Sequence, residues 1–231
     1  MGTLRTKDAP TQGLQTFVYC GLLPVGDRTN LVQSTVTLSA LAAQAATSLA
    51  VNALTSAIPT GQWLSFKNPT TGVEGLAKTS AAVAIGATAI PVVALENAFA
   101  TASTAIYPPE FTGRDNAGAN ETYNVEKFSS FNTGGFEDGV FTGGSASIDL
   151  SGLFFEFDPV FRTIVDQAPL GREFEVIVQY PSPGAGYTKG RKRVFKVLFN
   201  KKEMPTAVKG FVQMNVSATV LAFPVDTPAA P

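Results

Sequence analysis

The sequence predicts a mainly β protein with one short helix and a small β unit inserted into a larger β body. Three observations predict this. The 231 residues are 45% apolar and include 15 prolines and 21 glycines. Val, Thr and Phe are also abundant, a composition that favours strands and turns over long helices. Ala40–Phe66 aligns with Ala81–Tyr107 at a constant offset, Ala46 over Ala87 and Phe66 over Tyr107. The last third of the chain alternates apolar and polar residues with the period of two that a half-buried strand requires.

Thr16–Leu23 reads as a first strand, followed by a turn at Gly26-Asp27-Arg28. The segment Ser34–Tyr107 then departs in composition, its only charges being Lys67, Glu74, Lys78 and Glu96. Each repeat predicts a short apolar strand (Ser48–Ala53, Ala89–Ala94) and a second one (Gln62–Phe66, Thr104–Tyr107). The Ala-rich stretches Leu38–Ala46 and Ala81–Ala87 lack a 3.6-residue apolar stripe and read as loops and strand approaches. Trp63 reads as a core residue of this small unit. Pro108-Pro109 marks the exit.

Downstream, Asp115-Asn116-Ala117-Gly118 is a turn signal. Glu121–Phe131 is extended, and Asn132–Gly144 is a Gly-rich loop with Asp138-Gly139 as its hairpin tip. Ser145–Leu153 alternates, with Ala146, Ile148 and Leu150 on one face. Asp158 is an N-cap, Pro159 suits the first helical position, and Val160, Phe161, Ile164, Val165 and Ala168 follow at helical spacing until Pro169 and Gly171. Three strands complete the chain: Glu173–Tyr180, Arg193–Phe199 and the long Val208–Ala222. The domain division is therefore 1–33 with 108–224 as the body, 34–107 as the insert, and 225–231 as a disordered Pro/Ala tail.

The composition lowers the prospect of catalysis. There is no histidine, hence no imidazole base or ligand, and the single cysteine excludes an internal disulfide. No catalytic residue, metal ligand or cofactor is assigned. Met1–Gly13 is polar, without a signal-peptide core, and no apolar run is long enough for a bilayer, so membrane insertion is not expected. Gly184–Lys189 lacks Walker spacing and reads as a turn. The acids Glu137-Asp138, Glu156/Asp158 and Glu173/Glu175 read as structural rather than as catalytic or calcium-binding pairs. The phenylalanines of 128–157 read as core or subunit interface.

Charge is segregated along the chain. Glu110–Glu175 holds twelve acids against four bases, and Lys189–Lys209 eight bases against Glu203. The basic run can be a solvated loop, a phosphate-contacting patch, or a surface that meets the acidic stretch of a neighbouring copy.

The order of features from Glu121 to Phe223 is specific. A Phe-containing extended segment and a Gly-rich loop precede Gly144-Ser145-Ala146-Ser147-Ile148-Asp149-Leu150, followed by the Asp158-Pro159 helix. Gly171-Arg172-Glu173-Phe174-Glu175-Val176, a basic strand and a long last strand ending Val220-Leu221-Ala222-Phe223 come next. This order resembles the tail tube (major tail) proteins of long-tailed bacteriophages, over Thr16–Leu31 and Glu110–Phe223.

The resemblance implies a β-sandwich or half-barrel flanked by one helix, and a virion protein assembled in the host cytoplasm into stacked, sixfold rings. It implies other tail proteins (tape measure, terminator, baseplate or tip) as partners, and DNA passing without specificity through the lumen during ejection. Gln213, Asn215, Ser217 and Thr219 would face that lumen. Glu137 and Asp138 would meet Lys189, Arg191, Lys192, Arg193, Lys201 and Lys202 of a neighbour. The insert would project outward, which suits a non-contractile tail, and its removal would leave assembly intact. The alternatives are a capsid decoration or other virion surface protein, and a carbohydrate-binding module or carboxylate glycosidase using Trp63 or Glu137.

Overall fold

The computed structural model describes residues 16–112, 114–128, 138–153, 158–182, 190–203, 213–222 and 224–229. Glu137, Lys189, the Gly184–Lys189 turn, Phe131, Phe136, the Phe154-Phe155-Phe157 group and residues 208–212 of the last expected strand lie outside them.

The body is a seven-stranded antiparallel sheet. Its strands are β1 (Phe17–Leu22), β8 (Arg114–Phe128), β9 (Asp138–Leu153), β10 (Glu173–Gln179), β11 (Lys192–Glu203), β12 (Gln213–Val220) and β13 (Val225–Thr227). The order is β1-β10-β11-β12-β9-β8, with β13 also on β11. Period-two alternation puts Cys20, Val176, Phe195, Val197, Val216 and Ile148 into one buried cluster on a single face. The helix α1 (Pro159–Gln167) covers that face with Val160, Phe161 and Ile164. Its start is capped as expected: the Asp158 carboxylate accepts from the amides of Val160 (2.8 Å) and Phe161 (3.3 Å). Gly171, left-handed at φ 66°, ends the 3₁₀ turn Ala168–Leu170 that follows. Phe161 also meets Phe111 edge-on, centroids 4.5 Å apart.

Three local expectations are corrected. Asp115–Gly118 is not a turn but part of β8, paired with β9 across a register shift between Arg114 and Asn116. Asp138-Gly139 is not a hairpin tip: it opposes Phe128 and Lys127 inside the β8–β9 ladder. In both places a long cross-strand ladder outweighs local turn propensity. The tail expected to be disordered contributes β13, where Val225, Asp226 and Thr227 pair with Val194, Arg193 and Lys192.

Residues 34–107 form β2 (Ser34–Thr37), β3 (Ser48–Ala50), β4 (Trp63–Lys67), β5 (Glu74–Lys78), β6 (Ala89–Pro91) and β7 (Thr104–Tyr107). They make a four-stranded sheet β2-β7-β4-β5 and a two-stranded sheet β3-β6, around a second apolar cluster. The two repeats are interlocked about a pseudo-twofold axis. Ala42 exchanges both backbone hydrogen bonds with Phe99, and the duplicate positions Ile58 and Val83 do the same with the repeats reversed. Leu49 and Ile90, which are duplicates, oppose each other in the β3–β6 ladder. The duplication also runs further back than the sequence alignment, since β2 and β5 are equivalent. Gly75-Leu76-Ala77-Lys78 shares too little with Ser34-Thr35-Val36-Thr37 for the eye to match, yet Val36 and Ala77 are both buried.

Candidate assembly surfaces

β11 was the expected basic surface, and the structure neutralises much of it within the chain. Arg191 bonds Asp226 (2.5 Å), and Arg193 bonds both Asp226 (2.7 Å) and Glu121 (2.5 Å). Lys201 pairs with Glu203 at 2.8 Å. Lys201 and Lys202 are exposed and flank a groove of about 180 Å3 lined by Ile164, Ala168, Pro169 and Phe199. Lys192 is half-buried at the start of the strand. Of Asp138 only the backbone is described. The segregated acids and bases thus meet in part inside one chain, because antiparallel pairing brings distant segments side by side.

β12 separates its two faces as its alternation predicts. Met214, Val216 and Ala218 enter the body core. On the opposite face Ser217 donates to Asp149 (2.6 Å), and Thr219 accepts from Asn200 (2.7 Å). Asn215 stands between Glu203 and Ser151 in register, and its side-chain oxygen is buried without a partner among the described residues. Of Gln213 only the backbone is described. Ser147, Asp149 and Ser151 on β9 extend this polar strip toward β8. Among the described strands, β8 has a neighbour on one side only, so fifteen residues form an open edge.

Sequence reasoning missed the joint between the two units. Trp63 is not a core residue. Its indole N–H donates to Asp166 of α1 (2.9 Å), and Lys78 and Arg162 stand 5.6 and 5.5 Å from its ring centroid. Lys78 bonds the same carboxylate at 2.6 Å. Partial burial pushes the Asp166 pKa up, but the Lys78 and Trp63 hydrogen bonds and nearby Arg162 outweigh it, so the net shift is downward. Gln62 is fully buried: its carbonyl oxygen accepts from the Leu22 amide (2.9 Å) and its NH2 donates to Thr163 (3.1 Å). Leu23 and Leu31 of the body insert into the apolar cluster of the 34–107 unit.

The connecting loop is fastened as well. Glu175, fully buried, accepts from the Leu31 amide (3.1 Å) and pairs with the buried Lys196, which donates to the Thr29 carbonyl (3.2 Å). Buried charges persist only when partnered in this way. Arg28 holds Glu173 through two bonds of 2.6 and 2.5 Å. The insert is therefore packed onto the body, not tethered to it. The one legible signal was the lone Trp63. Nothing local pointed to Gln62.

Among the described residues no three metal-ligating side chains come together, and no helix is long and apolar enough to cross a membrane.

No family model matches this sequence, and no curated protein matches it. The structure is similar to a chain from the tail of an empty GTA particle, refined helically with C6 symmetry, at 16% identity and a TM-score of 0.38, covering 50% of this chain and 82% of that one. It is also similar to a chain from the SPP1 tail tube, solved by solid-state NMR and cryo EM, at 10% identity and a TM-score of 0.44, covering 74% of this chain and 77% of that one.

Proposed function

We propose that this chain is a non-catalytic structural subunit of a phage-type tail tube, acting by packing against copies of itself. The observation that carries the reading is the fifteen-residue edge of β8, open among the described strands. A long exposed edge is a template for pairing with another strand, and proteins blunt or cover such edges unless the pairing is used. The sequence resemblance over Thr16–Leu31 and Glu110–Phe223 supports the same reading.

On this reading, rings of six copies stack, and the polar strip of Asn215, Ser217 and Thr219, continued by Gln213, lines the lumen. Hydroxyls and amides suit a wall past which DNA must slide, because a basic wall would hold the phosphate backbone. Axial contacts between rings use Glu137 and Asp138 against Lys192, Lys201, Lys202 and Lys189, with Lys201 exchanging its exposed pairing to Glu203 for the neighbour's carboxylate. The 34–107 unit is an inserted module on the outside of the tube, in a virion built in the host cytoplasm with other tail proteins.

Negative-stain microscopy of the purified chain, paired with sedimentation velocity, tests the proposal. The expected result is hollow tubes with an axial repeat, and short rods or monomers for the Lys201→Glu, Lys202→Glu double variant. A wild-type chain that stays monomeric at high concentration overturns the tube. Normal tubes from the double variant overturn the axial charge contact alone.

A further inference from the structure

The pseudo-twofold symmetry of residues 34–107 defines two equivalent surfaces, and the body uses one of them. On that side Leu23 and Leu31 join the apolar cluster beside Tyr107 and Ile58. The Tyr107 hydroxyl donates to the Leu22 carbonyl (3.1 Å), Gln62 accepts from the Leu22 amide, and Ser56 donates to the Val32 carbonyl (2.6 Å). This surface is a seat for extended chain: aliphatic side chains go in, and polar groups hold the backbone.

The duplicate positions are Phe66 for Tyr107, Phe99 for Ile58, Asn97 for Ser56, Ser103 for Gln62, Val73 for Val32 and Gly72 for Leu31. All but Gly72 line one cleft of about 400 Å3 on the opposite side of the unit. Its floor is aromatic: Phe66 and Phe99 are 1% and 5% exposed, with centroids 5.5 Å apart. Gly75 permits this floor, because a Cβ there would lie 2.3 Å from the Phe99 ring. Where the first seat receives the Leu31 side chain, the second has a glycine, and space remains. Val73 stands 68% exposed at the rim, beside exposed Asn97 and Glu74. Phe99 is larger than Ile58, so this seat is shallower and takes one aliphatic side chain in place of two.

We propose that this cleft docks an extended, leucine-bearing segment of a partner protein, as its duplicate seats the Leu23 and Leu31 side chains and holds the Leu22 backbone of this chain. The inference stands on the internal symmetry and does not rest on tail assembly.

The probe is a labelled synthetic peptide with the sequence of Gly21–Gln33, titrated with the full chain and followed by fluorescence anisotropy and by amide NMR shifts. Saturable binding is expected, with shifts at Val73, Asn97 and Ala98. Replacing Leu23 and Leu31, two of the peptide's three leucines, by Asp should weaken it by about tenfold or more. Ala98→Trp in the protein, at an exposed position that leaves the fold intact, should do the same. Absence of binding at millimolar protein, shifts that map elsewhere, or undiminished affinity in Ala98→Trp overturns the proposal. Concentration-dependent dimers abolished by Ala98→Trp would put a second copy there and overturn the partner assignment.

Discussion

The two repeats of the 34–107 unit share a fold and differ in what each surface meets. The surface built around Tyr107, Ile58 and Gln62 is closed by the body, and the surface built around Phe66, Phe99 and Ser103 is open to solvent. Their cores are interchangeable: Leu49 and Ile90, Val51 and Val92, and Leu54 and Leu95 are buried alike. The differences lie where the surroundings differ. Gln62 stands where a body amide needs an acceptor, against Ser103 where no such amide exists. Trp63 stands where α1 offers a carboxylate, against Thr104. A duplicated scaffold keeps its packing, and its surface chemistry follows its neighbours.

That comparison is most sharply broken at Gln62. Gln62→Ala leaves the buried Leu22 amide without an acceptor and opens a cavity, and should cost about 2–3 kcal/mol. The duplicate change Ser103→Ala should cost under about 1 kcal/mol, both read from chemical denaturation. Equal losses would mean that the joint does not distinguish the repeats.

The next effect is at Gly75. Gly75→Ala drives a methyl into Phe99 and should cost about 1–3 kcal/mol, whereas the duplicate Ser34→Ala should fall within about 0.5 kcal/mol of wild type. The same chemical denaturation reads both.

The joint adds a pH-dependent term. Asp166→Asn should cost about 1 kcal/mol at neutral pH, a modest figure because the carboxylate is 30% exposed. The folded Asp166 pKa lies below its ordinary value of 3.8. Its contribution is therefore present above that value and is lost as pH falls through the depressed one. Wild type and Asp166→Asn should converge in acid, and a constant gap across the titration would refute the ionic role.

The smallest effect concerns the turns. Ala45 (φ 63°) and Gly86 (φ 82°) are duplicates in the left-handed region, as are Ala102 (φ 64°) and Gly61 (φ 86°). Ala45→Gly and Ala102→Gly relieve the alanine strain and should gain up to about 0.5–1 kcal/mol, net of the added freedom of the unfolded chain. Gly86→Ala, with open space for its Cβ, should lose about the same, while Gly61→Ala should lose more, since its Cβ would strike Gln167 at 2.6 Å.

How much of this was legible follows the range of the forces. The α1 cap at Asp158, the end of its 3₁₀ extension at Gly171 and the alternation of β12 were read correctly, because each depends on residues a few positions apart, whereas β10, expected to be half-buried, is buried on both faces from Phe174 to Val178. β5 escaped detection, since a strand of Glu74-Gly75-Leu76-Ala77-Lys78 becomes one only by pairing with β4. The start of β8, Asp115–Gly118, and β13 were misread as turn and tail for the same reason, although Glu121 onward was read as extended. Of the candidate surface residues, the polar face of β12 was legible from period two. The internal pairing of Arg191 and Arg193 was not, because Glu121 and Asp226 lie 72 and 35 residues away from them.

By itself the sequence determined a mainly β chain, an internal duplication and one capped helix, since composition, repetition and capping are properties of neighbouring residues. Only the tertiary structure decided that the repeats interlock, that Gln62, Trp63 and Asp166 fasten them to the body, and that one seat is covered while its duplicate faces solvent. The physical reason is that burial and ion pairing act between residues that meet only after the chain has closed, and no local pattern encodes which face a symmetric unit turns inward.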